Sequence, residues 1–195
     1  MPTGVHLRDA RQQLFDAAER VLLRDGPKAL TSRAVTDEAG CAKGVLHRHF
    51  ADFDDFLAAL VLDRAAGLDT QAADLRAAVG TGTVADNLTA ALTGLFGPVP
   101  LAIIPLITFR DELRTRLRAS TPGGGMAILG QATAAITAYL TGERTTGRIA
   151  PDTDIDSLTL SLVGGGHLLL ASASDASPAA IHKFVSATIG PMLRT

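Results

Sequence analysis

Between Gly40 and Phe50 the stretch CAKGVLHRHF gathers Lys43, His47, Arg48 and His49, with Gly44 and Val45 among them. A lysine near the start of a short helix can donate to phosphate or to the acceptor edge of guanine. Gly44 lets the backbone come close to a surface. Val45 offers methyl surface of the kind that meets a thymine methyl, and His47 and Arg48 can reach phosphates. Upstream, Thr31 and Arg33 bring a hydroxyl and a guanidinium to the start of another short helix, where backbone N–H groups also point outward. The bland alternatives are equally concrete. A lone cation on a short helix serves as solvated surface, and His49 can cap or pack instead of binding. Leu46 and Phe50, four apart, face a core in either case.

Presenting these residues requires helices around them. Leu14, Phe15, Ala18, Val21 and Leu22 share one face of a helix over about 8–24, which Gly26 and Pro27 stop. Thr31 is a good N-cap for a helix over 33–38. Gly40 supplies a tight turn before a second short helix over 42–48, giving a helix-turn-helix. Asp52 caps a long helix expected over 53–79, broken by Gly80 and Gly82. Further helices are expected over 83–95, 101–118, 124–146, 154–173 and 178–192. They are punctuated by GPVP, STPGGG, APDTD and SDASP. No stretch alternates as a strand would. The expectation is an all-α chain of about nine helices.

Composition agrees. Of 195 residues, 47% are hydrophobic and 19% charged, which excludes a disordered chain and supports a buried core. The single cysteine, Cys41, excludes an internal disulfide framework and a multi-cysteine metal site, and reads as a small buried residue. Neither cofactor nor metal is expected. No Ser/His/Asp set, phosphate loop or paired-carboxylate motif stands at a recognisable spacing, so an enzyme is not expected. The first residues, MPTGVHLRDAR, hold no apolar stretch of a secretory signal. Three runs lack Asp, Glu, Lys and Arg: 87–109, 119–142 and 157–174. Prolines, glycines and threonines dilute the first two, and the expectation is buried helices and no membrane partner. Residues 1–50 hold eight Lys/Arg against six Asp/Glu, a net +2, and the remainder ten against fourteen, a net −4. The basic head and acidic body suit a polyanionic partner at the head.

The segment LTSRAVTDEAGCAKGVLHRHF, Leu30 to Phe50, resembles the TetR family of transcriptional regulators. Thr31, Ala39, Gly40, Lys43, Gly44, Leu46, His49 and Phe50 match the family pattern of a Thr, an Ala–Gly turn, a recognition helix of the type S-K-G-T-L-Y and a closing H-F. GRIAPDTDID, Gly147 to Asp156, is similar to the family's approach to its eighth helix. The departures bear on DNA. Ala42 stands for the usual Ser, Val45 for Thr, His47 for the phosphate-contacting Tyr, and Phe53 where a Lys commonly reaches phosphate. Fewer phosphate contacts imply weaker or more pH-sensitive binding.

The resemblance implies a helix-turn-helix DNA-binding domain over 1–51 and an effector-binding and dimerisation domain over 52–195. It implies DNA contacts from Thr31, Arg33, Ala42, Lys43, Gly44, Val45, His47, Arg48 and His49, on a pseudo-palindromic double-stranded operator. An apolar effector pocket is expected from Phe56, Leu60, Leu92, Phe96, Ile103, Ile107 and Phe109, with Gln131, Thr133 and His167 as polar groups. Asn87 and Thr137 are further polar residues in apolar runs. Pro105 would shape the pocket wall. Arg110, Arg114 and Arg118 share a helix face, either solvated or attracting an acidic ligand. The last two helices are expected to form a homodimer, with Leu160, Leu168, Ile181, Phe184, Val185 and Ile189 covered there and the triplet Gly164 to Gly166 allowing a close crossing. The expected function is a cytoplasmic, ligand-responsive dimeric regulator, most simply a repressor released by a small, largely apolar effector. The alternative is a helical small-molecule-binding module with weakened or lost DNA binding.

Overall fold

A computed structural model describes residues 7–120, 126–172 and 177–194, with the side chains of residues 7–9 left aside. The expectations placed on the N-terminal six residues, on 121–125 in STPGGG and on 173–176 in SDASP lie outside the described residues. Eleven α-helices and no strand occur among those described: α1 (Leu7–Asp25), α2 (Ser32–Glu38), α3 (Gly44–His49), α4 (Phe53–Ala66), α5 (Asp69–Ala77), α6 (Val84–Leu95), α7 (Pro98–Thr108), α8 (Asp111–Ser120), α9 (Ala127–Thr145), α10 (Ile155–Ser172) and α11 (Pro178–Ile189), the last followed by a 3-10 turn at Gly190–Met192. The all-α expectation holds.

Two long helices expected from the sequence are each divided. The one over 53–79 breaks into α4 and α5 at Gly67 and Leu68. Gly67 is a weak helix former, buried Leu68 turns inward, and Asp69 opens the next helix with a favourable charge. The one over 101–118 breaks into α7 and α8. Asp111 and Glu112 charge the first turn of α8, and Arg114 Nη1 donates to the Thr108 carbonyl at 2.9 Å, supplying a partner for the end of α7. GPVP does not precede α7 but begins it, since Pro98 suits a first helical position. Pro105 is accommodated inside α7.

The chain divides into two compact units, Met1–Asp63 with Ala102–Met126, and Arg64–Leu101 with Ala127–Thr195. The unit holding the head therefore extends past the boundary expected at residue 51. In it, Leu14, Phe15, Ala18, Val21, Leu22, Val35, Leu46 and Phe50 are buried together with Phe56, Leu57 and Leu60. Phe56 is the hub of an aromatic cluster, 5.7 Å from Phe15, 5.1 Å from Phe50 and 5.6 Å from Phe53 between ring centroids. Each such pair adds about 0.5–1.5 kcal/mol beyond burial.

In the second unit α9 packs on α5 and α10, and α11 on α6 and α10. Ile181, Val185 and Ile189 are buried by this packing, so they are not the exposed dimer surface expected of them. Two of the three consecutive glycines are explained inside the unit. A Cβ on Gly165 would lie 2.3 Å from the Phe184 ring, and one on Gly166 would lie 3.0 Å from Leu92. Only Gly164 opens onto free space. By length and composition α10 could cross a membrane, with a mean hydropathy of 1.2. One face of it, Leu158, Leu162, Val163 and Gly166, is buried in the unit.

Candidate functional site

The head is built to hold α3 outward. Thr31 takes an extended conformation and its hydroxyl accepts from the Ala34 N–H at 3.1 Å, so it caps α2 as expected. Glu38 at the far end of α2 receives Arg20 Nε at 2.7 Å and Arg24 Nη1 at 2.8 Å, one turn apart on α1. Those two guanidiniums hold its carboxyl below the usual range. Gly40 then turns with φ +65°, a conformation costly for other residues, and the Cys41 N–H donates to the Thr36 carbonyl at 3.0 Å. Cys41 is half-buried, and burial raises its thiol pKa against the influence of Arg48. Cys41 is thus less buried than its sequence reading as a small buried residue.

Helix α3 is six residues long, and Lys43 before it forms no side-chain cap. Lys43 and its neighbour Ala42 stand exposed, as do Gly44, His47 and Arg48. Val45 and His49 are half-buried, with the His49 ring 6.4 Å from Phe50. Leu46 and Phe50 face the core, as their spacing implies. A Cβ on Gly44 would meet nothing within 4 Å. Internal packing therefore does not require a glycine there, which leaves close approach of an outside surface as a use for it. Arg33 is exposed and its one ion pair, to Asp37 at 3.5 Å, is surface-weak and easily exchanged for phosphate. The structure thus brings Thr31, Arg33 and the α3 residues onto one helix-turn-helix.

The expected effector residues divide between the units. Phe56, Leu60, Ile103 and Ile107 are fully buried in the first, whereas Phe109 is 85% exposed. Leu92 and Phe96 are buried in the second. There the His167 ring lies 5.6 Å from Phe96, and its buried Nδ1 has no hydrogen-bond partner. Gln131 is half-buried. Thr133 is exposed, its hydroxyl donating to the Leu129 carbonyl of its own helix.

Other polar residues are occupied structurally. Asn87 donates to the Tyr139 hydroxyl at 2.9 Å and to the Thr81 carbonyl at 2.9 Å. Thr137 donates to Thr159. Of the arginines expected to share a face, Arg110 lies 3.3 Å from Asp54 and Arg114 pairs with Asp111, while Arg116 pairs with Asp52 at 2.7 Å and Glu112 at 3.9 Å. Sequence reading missed the Glu38 clamp and a buried Glu143. The i, i+4 spacing of Arg20 and Arg24 was the available signal for the first.

An exposed cationic helix on a capped helix-turn-helix, carried by an otherwise helical chain, is the arrangement that helix-turn-helix folds present to DNA. Residues 14–60 match the family described as bacterial regulatory proteins, tetR family. The fold extends the likeness over nearly the whole chain. A TetR-family transcriptional regulator from Agrobacterium tumefaciens is 14% identical at a TM-score of 0.74, with 96% of this chain and 99% of that one covered. A transcriptional regulator from Saccharomonospora viridis in complex with choline is 17% identical at 0.70, covering 96% and 100%. The regulator FadR from Bacillus subtilis in complex with stearoyl-CoA is 16% identical at 0.63, covering 93% and 98%. Comparison with curated proteins finds no match. Residues 14–60 thus resemble the tetR family of bacterial regulatory proteins, and the solved structures share the fold over nearly the whole chain.

Proposed function

We propose that the protein is a dimeric repressor of the bacterial cytoplasm that sets α3 in the major groove of a pseudo-palindromic operator and is released by a small, largely apolar effector. The observation that carries this reading is the exposed, weakly committed set of Thr31, Arg33, Lys43, Gly44, His47 and Arg48, with half-buried Val45 among them, on a capped helix-turn-helix. Lys43 and Val45 read base edges, while Thr31, Arg33, His47 and Arg48 grip the backbone.

Pairing through α10 and α11 is supported by the row Leu160, Gly164 and Leu168, one helical turn apart. Leu160 is 73% and Leu168 66% exposed, and Gly164 leaves room for a neighbouring helix. A cleft lined by Leu168, Leu169, Phe184 and Ala187 continues that surface. A two-fold dimer would present two heads to two half-sites. In the second unit, apolar Leu92 and Phe96 beside His167, whose buried Nδ1 has no partner among the described residues, favour an apolar effector with a hydrogen-bonding group. That family relatives are seen with choline and with stearoyl-CoA agrees with a ligand-responsive body. Release requires unequal effector affinity for the DNA-competent and incompetent states.

Selection from random duplex DNA, repeated at two salt concentrations, tests the reading. An enriched pseudo-palindrome with steep salt dependence is expected. No enrichment from a folded dimer would overturn it in favour of a ligand-binding module without DNA affinity.

A further inference from the structure

The first unit contains a cleft of about 510 Å³ that brings Thr31, Pro105, Phe109 and Arg110, which the DNA and effector readings treat separately, onto one surface. It lies where the turn before α2, the start of α4 and the end of α7 meet. Its apolar wall is Pro27, Leu30, Phe53, Pro105, Leu106 and Phe109. The polar lining is Lys28, Arg110, Thr31 and Ser32, with no acid among the lining residues. The volume falls in the range of small-molecule sites, as does an apolar wall with a few convergent polar groups.

The polar groups have capacity to spare. Lys28 is exposed and pairs with no acid among the described residues. Arg110 is placed by two neighbours, with its guanidinium 5.6 Å from the Phe53 ring centre and an ion pair of 3.3 Å to Asp54. That pair is not a hydrogen bond, since Asp54 Oδ1 is buried without one. The guanidinium N–H groups of Arg110 therefore remain free to donate. The Ser32 hydroxyl likewise has no hydrogen-bond partner among the described residues. Phe109 stands 85% exposed at the edge, an apolar area that a bound molecule would cover. Two cations, free N–H and O–H donors and an apolar wall without a carboxylate complement one kind of occupant.

We propose that this cleft is a binding site for amphipathic carboxylates, with the acid on Lys28 and Arg110 and the aliphatic or aromatic body along Phe53, Pro105, Leu106 and Phe109. Thr31 and Ser32 also open α2, so an occupant would draw on the Thr31 hydroxyl that the DNA-binding reading directs to phosphate. That consequence rests on the proposed function. The binding itself does not, and is measured without DNA.

Calorimetry of the full chain with octanoate, and with 1-octanol as the neutral control, tests the site. Octanoate is expected to bind at one site per chain and more tightly than 1-octanol. Lys28→Gln and Arg110→Gln should each weaken octanoate about tenfold, the scale of a hydrogen bond to a charged group, and leave 1-octanol unchanged. Phe109→Ala should weaken both. Lys28 and Phe109 are exposed, so those variants fold even if Arg110→Gln does not. Failure of octanoate to bind, binding equal to that of 1-octanol, or binding indifferent to Lys28→Gln and Phe109→Ala would overturn the proposal. A chain that binds octanoate as stated yet selects no operator would separate this site from the DNA-binding reading.

Discussion

Helix α3 and the C-terminal end of α9 are both rich in polar side chains, and they use them in opposite ways. At α3, the side chains of Lys43, His47 and Arg48 are exposed and make no hydrogen bond or ion pair among the described residues. At the end of α9, Glu143 is fully buried and fully used. It receives the Gly80 N–H at 3.2 Å and pairs with Arg148 at 3.2 Å, whose guanidinium also donates to the Gly82 carbonyl at 2.6 Å. Beside it burial pushes the Tyr139 phenol up, opposed by the Asn87 hydrogen bond. These bonds strap the turn over 78–82, where Gly80 and Gly82 take positive φ, to α9. Polar residues of the body thus secure the fold, and those of the head are left for a partner. The two sets should respond differently to the same kind of substitution.

The largest expected effect is on stability. Glu143→Ala leaves the half-buried Arg148 charge and the Gly80 N–H without their partner, and should cost about 2–3 kcal/mol. Chemical denaturation checks this. A loss within the range of a surface residue would break the contrast. Lys43→Ala is the matched test in the head. It should weaken operator binding by about 1–3 kcal/mol if Lys43 reads a base, with Tm unchanged. If Lys43 touches only phosphate, the loss should be even across sequences and the salt slope should fall by about one.

Glycines extend the comparison within α10. Gly165→Ala should destabilise by about 1–2 kcal/mol, because the new Cβ stands 2.3 Å from the Phe184 ring, which must swing aside. Gly164→Ala meets nothing within 4 Å and should gain up to about 1 kcal/mol of helix propensity. Paired denaturation curves decide this, and sedimentation of Gly164→Ala checks the α10 and α11 pairing. A close helix crossing at Gly164 predicts a weaker dimer from the more stable chain.

The same contrast explains what could be read in the sequence. The head was legible because local signals suffice there. The Thr31 cap, Gly26, Gly40 and the i, i+4 pair of Leu46 and Phe50 act over a few residues, and each holds in the structure. In the body the decisive partners lie far apart in sequence. Glu143 meets Gly80 across 63 residues, and Gly165 makes room for Phe184 on another helix. Periodicity marked Ile181, Val185 and Ile189 as apolar, but could not say whether a second chain or α6 covers them. The cleft beside Phe109 was hidden for the same reason, since residues 27–32, 53 and 105–110 converge only in three dimensions.

The smallest effect concerns acid. Asp154 begins α10 by accepting the Ser157 hydroxyl at 2.6 Å and the Ser157 N–H at 3.1 Å, and those two bonds hold its carboxyl below the usual aspartate range. A carboxyl lowered in the folded state binds its proton more readily when unfolded. Its contribution is therefore complete above the ordinary aspartate range, and is lost as pH falls through the lower folded value. Asp52 behaves alike, held down first by the Asp55 N–H and also by Arg116. Asp154→Asn keeps an acceptor for the cap but removes the charge. It should lower Tm slightly at neutral pH and flatten the acid limb of the Tm–pH curve. Lys43→Ala should leave that curve unmoved, because Lys43 has no internal acid to hold. Equal acid limbs for Asp154→Asn and the unaltered chain would mean that the bonds to Ser157 carry no stability, and would weaken the claim that the polar groups of the body serve the fold.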